Sequence, residues 1–451
     1  MVAVMSEQMQ KTAEYTLVVG LGESGLSAAR FLSRLGESVL VIDSREQPPA
    51  IEHLIRDCPD IPVETATLDP KWLGRARRVI VAPGLAADLP LIVEARERGM
   101  EVIGELELFA RAVDAPVLAV TGSNGKSTVV SLTAHLLQAQ GFNAPAGGNL
   151  GPPALELLGS DADAYVLEVS SFQMETTQSL SPVAAALLNI SPDHIDRHGS
   201  LERYAELKIS LLAMAERAIV NVDDPLVREL APRSVQAVPF SVRQELASGW
   251  CVVERSGKRW LACDGEPLLP SDELRIRGEA GEANALAALA LCQCMGGELD
   301  AAIAALPAFE GLPHRRQHLC ERLGVVWIDD SKGTNVGASI AAIESETAPL
   351  VLIAGGQSKG ADFRPLVAAV QGRVRAAVLL GEAAAELEQL FDGVIPSYRV
   401  GDMEQAVVKA AQIAVPGDSV LLSPACASQD MFRDYRERGH AFASAIKGLA
   451  R

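Results

Sequence analysis

PVLAVTGSNGKSTVVSLTAHLLQAQG (116–141) runs from an apolar stretch through a glycine-rich turn into a helical pattern. A strand ending in a loop that opens a helix is a ready anion site. Its unpaired backbone N–H groups and the helix dipole face the ligand together. TGSNGKST (121–128) ends in Gly-Lys-Ser-Thr, yet only two residues separate Gly122 from Gly125, where the common phosphate loop has four. Ser123, Asn124 and Thr128 complete the cradle, Lys126 offers an ammonium, and the Ser127 hydroxyl suits a phosphate-bound Mg²⁺. The segment predicts an α/β unit with a nucleotide at the carboxyl edge of a parallel sheet. A plain turn that happens to hold a lysine is the alternative.

Outward from this loop, apolar runs alternate with helical patterns over all 451 residues, which predicts α/β architecture in two or three domains. YTLVVGLGESG, SVLVID (38–43) and RRVIVAPG (77–84) form one series. PVLAVTG, DAYVLEVSS (163–171), VAAALLNIS (183–191) and RAIVNVDD (217–224) form a second. WCVVERSGKRWLACDG then reads as a hairpin with Ser-Gly-Lys at its turn, and EANALAALALCQCM (282–295) as a helix. VVWIDDSKGTN, PLVLIAGGQSKG, RAAVLLGE and DSVLLSPACAS make a third series. Pro- and Gly-bearing stretches place the domain limits at 1–104, 105–311 and 312–451.

Composition narrows the class. Hydrophobic residues make up 48 % and charged ones 22 %, as in a soluble protein with a large core. The net charge of −18 leaves no general basic footprint for nucleic acid. Cys58, Cys251, Cys263, Cys292, Cys294, Cys320 and Cys426 are scattered without a CxxC, so reduced thiols are expected. No apolar run approaches the roughly 18 residues of a membrane span. MVAVMSEQMQKTAEY lacks the basic-then-apolar order of a leader, so the expected location is cytoplasmic.

A second glycine loop, GLGESG, sets Gly20, Gly22 and Gly25 between a strand and a helix, and Asp43 follows about 20 residues on. Alone it suits a dinucleotide-dependent oxidoreductase, a nucleotide-sugar site or structural turn glycines. Further along, Glu168 ends an apolar strand, where its carboxylate should emerge near the phosphate loop as a candidate Mg²⁺ ligand or a salt-bridged acid. The loop after VAAALLNIS carries Asp193, His194, Asp196 and His198, with Lys208 on the next helix. Spacing leaves His194 open between ligand and structural residue. Lys208 reads as a solvated helix lysine.

TGSNGKST, GGNLG (147–151), LEVSSFQME (167–175), NISPDHIDRH (189–198) and YAELK (204–208) together resemble the Mur ligase family, whose members are ATP-dependent amino-acid ligases of peptidoglycan precursor synthesis. The C-terminal motifs DDSKGTN (329–335), GGQSKGADF (355–363) and LLSPACASQDMFRDYRERG (421–439) resemble the D-glutamate-adding branch. The resemblance implies three domains: a Rossmann-like one for UDP, a central ATP- and Mg²⁺-binding one, and a C-terminal one for the amino acid. It also implies UDP-MurNAc-L-Ala and D-glutamate as substrates and a monomer. By the same resemblance Glu23, Ser24, Asp43, Ser44, Arg45 and Gly84 match UDP contacts, and Asn149 the sugar and peptide arm. Lys126 and Ser127 match the phosphate lysine and Mg²⁺ hydroxyl, Glu168 and His194 match ligands of two Mg²⁺ sites, and Lys208 a lysine carbamylated in the family. Asn284, Arg315 and Asp330 match nucleotide contacts, while Thr334, Lys359, Ser428 and Tyr435 match positions around D-glutamate. One departure stands out: Ala280 and Gly281 occupy places where relatives usually carry His-Asn. A folylpolyglutamate-synthase-like enzyme, another branch of the family, and a non-catalytic nucleotide switch are the competing readings.

Overall fold

The computed structural model describes residues 14–159, 161–347 and 349–449. The stretch read as lacking a leader lies, up to residue 13, outside them. Three sheets follow one another along the chain. The first contains β1 (Tyr15–Val19), β2 (Val39–Ile42), β3 (Val63–Glu64), β4 (Ala76–Val81) and β5 (Glu101–Ile103) in the order β3-β2-β1-β4-β5. Every pairing in it is parallel, and the order reverses beside β1. Ligands of open α/β sheets bind at such a reversal.

The second sheet holds β6 (Val117–Thr121), β7 (Ala146–Gly148), β8 (Tyr165–Glu168), β9 (Ala184–Leu187) and β10 (Arg217–Asn221). It continues through β11 (Gln236–Ser241), β12 (Trp250–Arg255), β13 (Lys258–Cys263) and β14 (Glu266–Pro270). The order is β14-β13-β12-β11-β10-β9-β6-β8-β7, parallel from β12 to β7 and antiparallel at the β12–β13–β14 end. β6 lies between β9 and β8, so its carboxyl end meets the loops that follow both neighbours. Ser256 and Gly257, both with positive φ (53° and 73°), make the two-residue hairpin turn, and Lys258 already pairs with Arg255 in the ladder.

The third sheet comprises β15 (Gln317–Arg322), β16 (Val325–Asp329), β17 (Leu350–Gly355), β18 (Val374–Leu380), β19 (Ser397–Arg399) and β20 (Ser419–Leu422). Its order is β15-β16-β20-β17-β18-β19, with only the β15 pairing antiparallel. The central strands of all three sheets are apolar and buried, because helices cover both faces. Leu118 and Val120 of β6 pack on one side with the helices Lys126–Ala139 and Gly278–Cys294, while Val117 and Ala119 face the other layer. Burying this apolar area is the main stabilising term, at about 25 cal/mol per Å² removed from water.

The helix expected over 282–295 begins earlier, at Gly278. Gly281 permits this first turn, because a Cβ there would stand 1.9 Å from the Ile276 carbonyl oxygen. Cys292 is buried in the core and Cys294 partly so; all seven cysteines are unpaired thiols.

Candidate active site

The phosphate loop leaves β6 at Thr121 and enters its helix at Lys126. Gly122 (φ +149°) and Gly125 (φ +86°) have backbones that other residues rarely adopt, and a Cβ on Gly125 would lie 2.7 Å from Asn284 Oδ1. The loop is held from outside. Asn189, just past β9, accepts the Asn124 N–H through Oδ1 (2.8 Å) and donates from Nδ2 to the Asn124 carbonyl (3.1 Å). The Ser123 hydroxyl lies 3.0 Å from the Tyr204 hydroxyl and accepts the Ser191 N–H at 2.9 Å.

Charge gathers on this frame. The Lys126 ammonium donates to the carbonyls of Gly122 (2.8 Å) and Ser123 (3.0 Å). Lys208 reaches the same Gly122 carbonyl at 2.8 Å and lies 4.5 Å from the Tyr204 ring centre. With Lys208 only 1 % exposed, its reading as a solvated helix lysine is overturned. Burial, and next the Lys126 charge, push its pKa well below the ordinary lysine value. Burial also lowers Lys126, against the pull of Glu168 and Asp193.

Glu168, at the end of β8, accepts a very short hydrogen bond from Ser127 and another from Asn149 Nδ2 at 2.6 Å. Burial alone would raise its pKa, but Lys126, these two bonds and Arg315 outweigh it and hold the carboxylate below its usual range. Arg315 crosses from the C-terminal unit and donates to the Ser127 hydroxyl at 2.5 Å.

One cleft is lined by Lys126, Ser127, Asn149, Glu168, His194, Lys208, Arg315, Thr334, Lys359, Ser428 and Tyr435, which the sequence scatters over some 300 positions. A larger cavity of about 1200 Å³ adjoins it, walled by Asn284, Asp330, Ala280 and Gly281. Asn124, Gly125, Arg315 and Lys332 line both chambers. The Asp330 carboxyl accepts from Ser423 Oγ (2.7 Å) and the Arg316 N–H (3.2 Å), and burial raises its pKa to about 7.

His194 sits at the cleft with a left-handed backbone (φ +54°), packs on Phe172 at 4.8 Å, and has its pKa lowered by burial. His198, from the same loop, turns away: its Nε2 lies 3.0 Å from Ser171 Oγ and its Nδ1 3.5 Å from Glu175. Lys332 was not singled out by sequence. It lies inside DDSKGTN, 4.4 Å from the Tyr435 ring centre, and burial, Arg315 and Lys126 bring its pKa down to about 8.

The first glycine loop lies apart from both chambers. A Cβ on Gly25 would stand 1.9 Å from the Gly20 carbonyl oxygen, so strand and helix meet there with no room to spare. Glu23 and Ser24 open the helix Glu23–Arg34, and Ser44, Arg45 and Gly84 are exposed. The Asp43 carboxylate accepts from the Leu21 N–H (2.7 Å), the Arg45 N–H (2.8 Å) and the Arg45 guanidinium (2.7 and 2.9 Å). Only 2 % exposed, that carboxylate has no free oxygen for a ribose hydroxyl. This removes one of the two features the oxidoreductase reading drew on, the glycines of GLGESG being the other.

Residues 14–104 match the family model "Mur ligase MurD-like, N-terminal domain", 120–292 the "Mur ligase middle domain", and 314–426 the "Mur ligase, glutamate ligase domain". The chain belongs to the Mur ligase family. It is 45 % identical over 450 residues, 99 % of either chain, to a Nitrosococcus oceani protein named UDP-N-acetylmuramoylalanine--D-glutamate ligase. A Pseudomonas aeruginosa protein of the same name is 44 % identical over 440 residues, 97 % of this chain and 98 % of its own. The solved UDP-N-acetylmuramate-alanine ligase of Thermotoga maritima shares the fold, with a TM-score of 0.63 at 19 % identity over 96 % of this chain and 99 % of its own. The MurF ligase of the same organism, solved with ADP, gives 0.59 at 17 % identity over 92 % of this chain and 96 % of its own. As a Mur ligase this chain is an ATP-dependent, amide-forming enzyme of peptidoglycan precursor synthesis. No helix among its described residues is long and apolar enough to cross a membrane.

Proposed function

We propose that this Mur ligase joins D-glutamate to UDP-N-acetylmuramoyl-L-alanine, as the names of its full-length relatives state for them. The observation that carries the reading is the gathering of Lys126, Lys208, Arg315 and Lys332 around one cleft. So many partly desolvated cations, most of them bonded only to neutral groups, call for anionic ligands. A nucleotide's phosphates, a substrate carboxylate and the two carboxylates of glutamate would meet that need.

The larger cavity suits ATP, with Asn284 and Asp330 on its wall and the phosphates entering through the neck at Gly125 and Arg315. The carboxylate of the sugar-linked alanine takes the γ-phosphoryl group, giving an acyl phosphate and ADP. Lys126 and the loop N–H groups hold the transferring oxygens. The neutral amine of D-glutamate then attacks the carbonyl carbon, the amide C–N bond forms, and phosphate leaves from the tetrahedral intermediate. The amine proton passes to solvent or phosphate. Thr334, Lys359, Ser428 and Tyr435 border the space for the amino acid, and Lys359 is the proposed partner of a substrate carboxylate. Glu23, Ser24, Ser44, Arg45 and Gly84 are the proposed handle for UDP, with Asp43 serving it by holding Arg45 and the Leu21 N–H in place, and Asn149 meets the sugar-peptide arm. The proposed domain limits remain 1–104, 105–311 and 312–451.

For Mg²⁺, the donor set Ser127 hydroxyl and Glu168 carboxylate fits, being hard oxygen ligands already in contact with each other. Among the described residues no cluster of three or more His, Cys, Asp and Glu forms a cage, which suits an ion completed by phosphate and water. When bound, the ions would neutralise charge on the phosphoryl group. His194 and Lys208 would serve a second ion only with Lys208 as a carbamate, because an ammonium repels a cation. The lowered pKa of Lys208 supports that modification, since CO₂ adds to the free amine. A cytoplasmic monomer is the proposed form.

The test is phosphate release from ATP with each substrate supplied or omitted. Release should require both UDP-MurNAc-L-Ala and D-glutamate. Release indifferent to either sinks the reading, and a preference for another amino acid reassigns the branch.

A further inference from the structure

One contact across the seam between the central and C-terminal sheets has no task in the reaction described so far. Asn335 caps the helix Val336–Glu344, its Oδ1 accepting the Ala338 N–H at 2.8 Å. The same carboxamide also faces the phosphate loop. Its Nδ2 donates to Asn124 Oδ1 and to Asp193 Oδ2, each at 3.1 Å, and its Oδ1 accepts from Asn124 Nδ2 at 3.3 Å. Both donor hydrogens and both acceptor positions of Asn335 are therefore used, and the residue is only 8 % exposed.

Asn124 is in turn gripped through its main chain by the Asn189 carboxamide. Three carboxamides thus run from the end of β9, through the phosphate loop, to the C-terminal unit. At the same seam a Cβ on Gly337 would lie 3.0 Å from Ser191 Oγ, so a residue without a side chain lets the helix approach this closely. Capping does not explain the amide. Aspartate and serine cap as well as asparagine, but neither can pair with Asn124 while also donating to Asp193.

We propose that Asn335 is a positioning residue, an interlock that ties docking of the C-terminal unit to the transfer-ready shape of the phosphate loop. The docked unit brings Lys332, Thr334, Lys359 and Ser428 into the cleft. The carboxamide pair makes the Asn124 side chain, and with it the loop, sense that arrival. Undocked, Asn124 exchanges this partner for water and the loop loses its outer brace. The inference rests on the ligase reaction proposed above.

The experiment uses the full chain with Asn335→Asp and Asn335→Ser. Both keep the cap, the first setting a carboxylate against Asp193 and the second falling short of Asn124. Melting temperatures should stay within about 2 °C of the parent. The turnover number should fall about tenfold or more, and the D-glutamate KM should rise about fivefold. ATP-induced compaction, read as the radius of gyration by small-angle X-ray scattering, should be lost in both. Asn124→Ala combined with Asn335→Ala should cost less than the sum of the single losses, because both break one contact.

Turnover within about twofold of the parent with unchanged compaction overturns the interlock. Fully additive losses overturn it too, as does a lower melting point with intact turnover, which marks a contact that only stabilises the fold. Parent-enzyme phosphate release that ignores D-glutamate sinks the ligase reading instead. Compaction is measured with ATP alone and judges the interlock separately.

Discussion

The two glycine loops share a backbone plan and differ in what they do with charge. Around Gly20–Gly25 the one buried acid, Asp43, is satisfied within its own neighbourhood by two N–H groups and the Arg45 fork. Around Gly122–Gly125 two lysines donate to the same carbonyl, and Arg315 ends on a hydroxyl. The first loop is electrically closed and offers its helix N-terminus. The second holds positive charge that its own residues compensate only in part. Glycines shape both loops, but the second alone is built to do work on a phosphate.

The largest expected effect breaks this contrast at the second loop. Lys126→Met should lower D-glutamate-dependent phosphate release by about a thousandfold, while the melting point holds or rises, because removing an under-compensated charge relieves desolvation. Lys208→Ala comes next and should largely abolish turnover with no rescue by added bicarbonate. Near-normal turnover in that variant removes the carbamate role, and a carbamate signal from ¹³C-bicarbonate in the parent enzyme would support it.

At the first loop, Asp43→Ala should reduce stability by about 2 kcal/mol in denaturant titrations, since Leu21 N–H and Arg45 lose their acceptor. The KM for the UDP-sugar should rise and that for ATP should stay. Burial works to raise the Asp43 pKa, but Arg45 and the N–H bonds outweigh it and hold it low. Its stabilisation is therefore present above the ordinary carboxylate pKa and disappears as pH falls through the folded value. The variant should show a flatter acid limb.

Smallest is a slope. Lys332 titrates near 8 in the folded chain against an ordinary 10.5, so the unfolded chain holds more protons between those values and stability rises with pH there. Lys332→Met should remove that rise, worth below about 1 kcal/mol per pH unit once partial solvent screening is allowed for. An unchanged slope would place the lysine in a wetter setting than its packing implies.

Much of this was legible from the chain. Alternating apolar runs give the three sheets, and the strand–loop–helix order at 116–141 gives the phosphate cradle. The fate of Lys208 was misread from spacing, though a signal existed. Tyr204, Ala205, Leu207, Leu211 and Leu212 form the buried stripe of its helix, and Lys208 falls on it at i+4 from Tyr204. Lys332, Asn189 and Asn335 were missed for another reason. Their partners lie in other loops, Asn335 and Asn124 being 211 positions apart, and no local period encodes such a meeting. Asp43 shows the converse. Its place after GLGESG suggested a nucleotide contact, whereas its Arg45 and Leu21 partners are nothing that spacing encodes.

The neck between the two chambers carries a practical consequence. Arg315 and Lys332 border the smaller cleft and the larger cavity alike, so an inhibitor need not imitate either substrate in full. A compact dianion lodged at the neck would meet both cations and bar passage between the chambers. Extensions in either direction would then tune selectivity, toward the wall at Ala280 and Gly281 or toward Thr334 and Ser428.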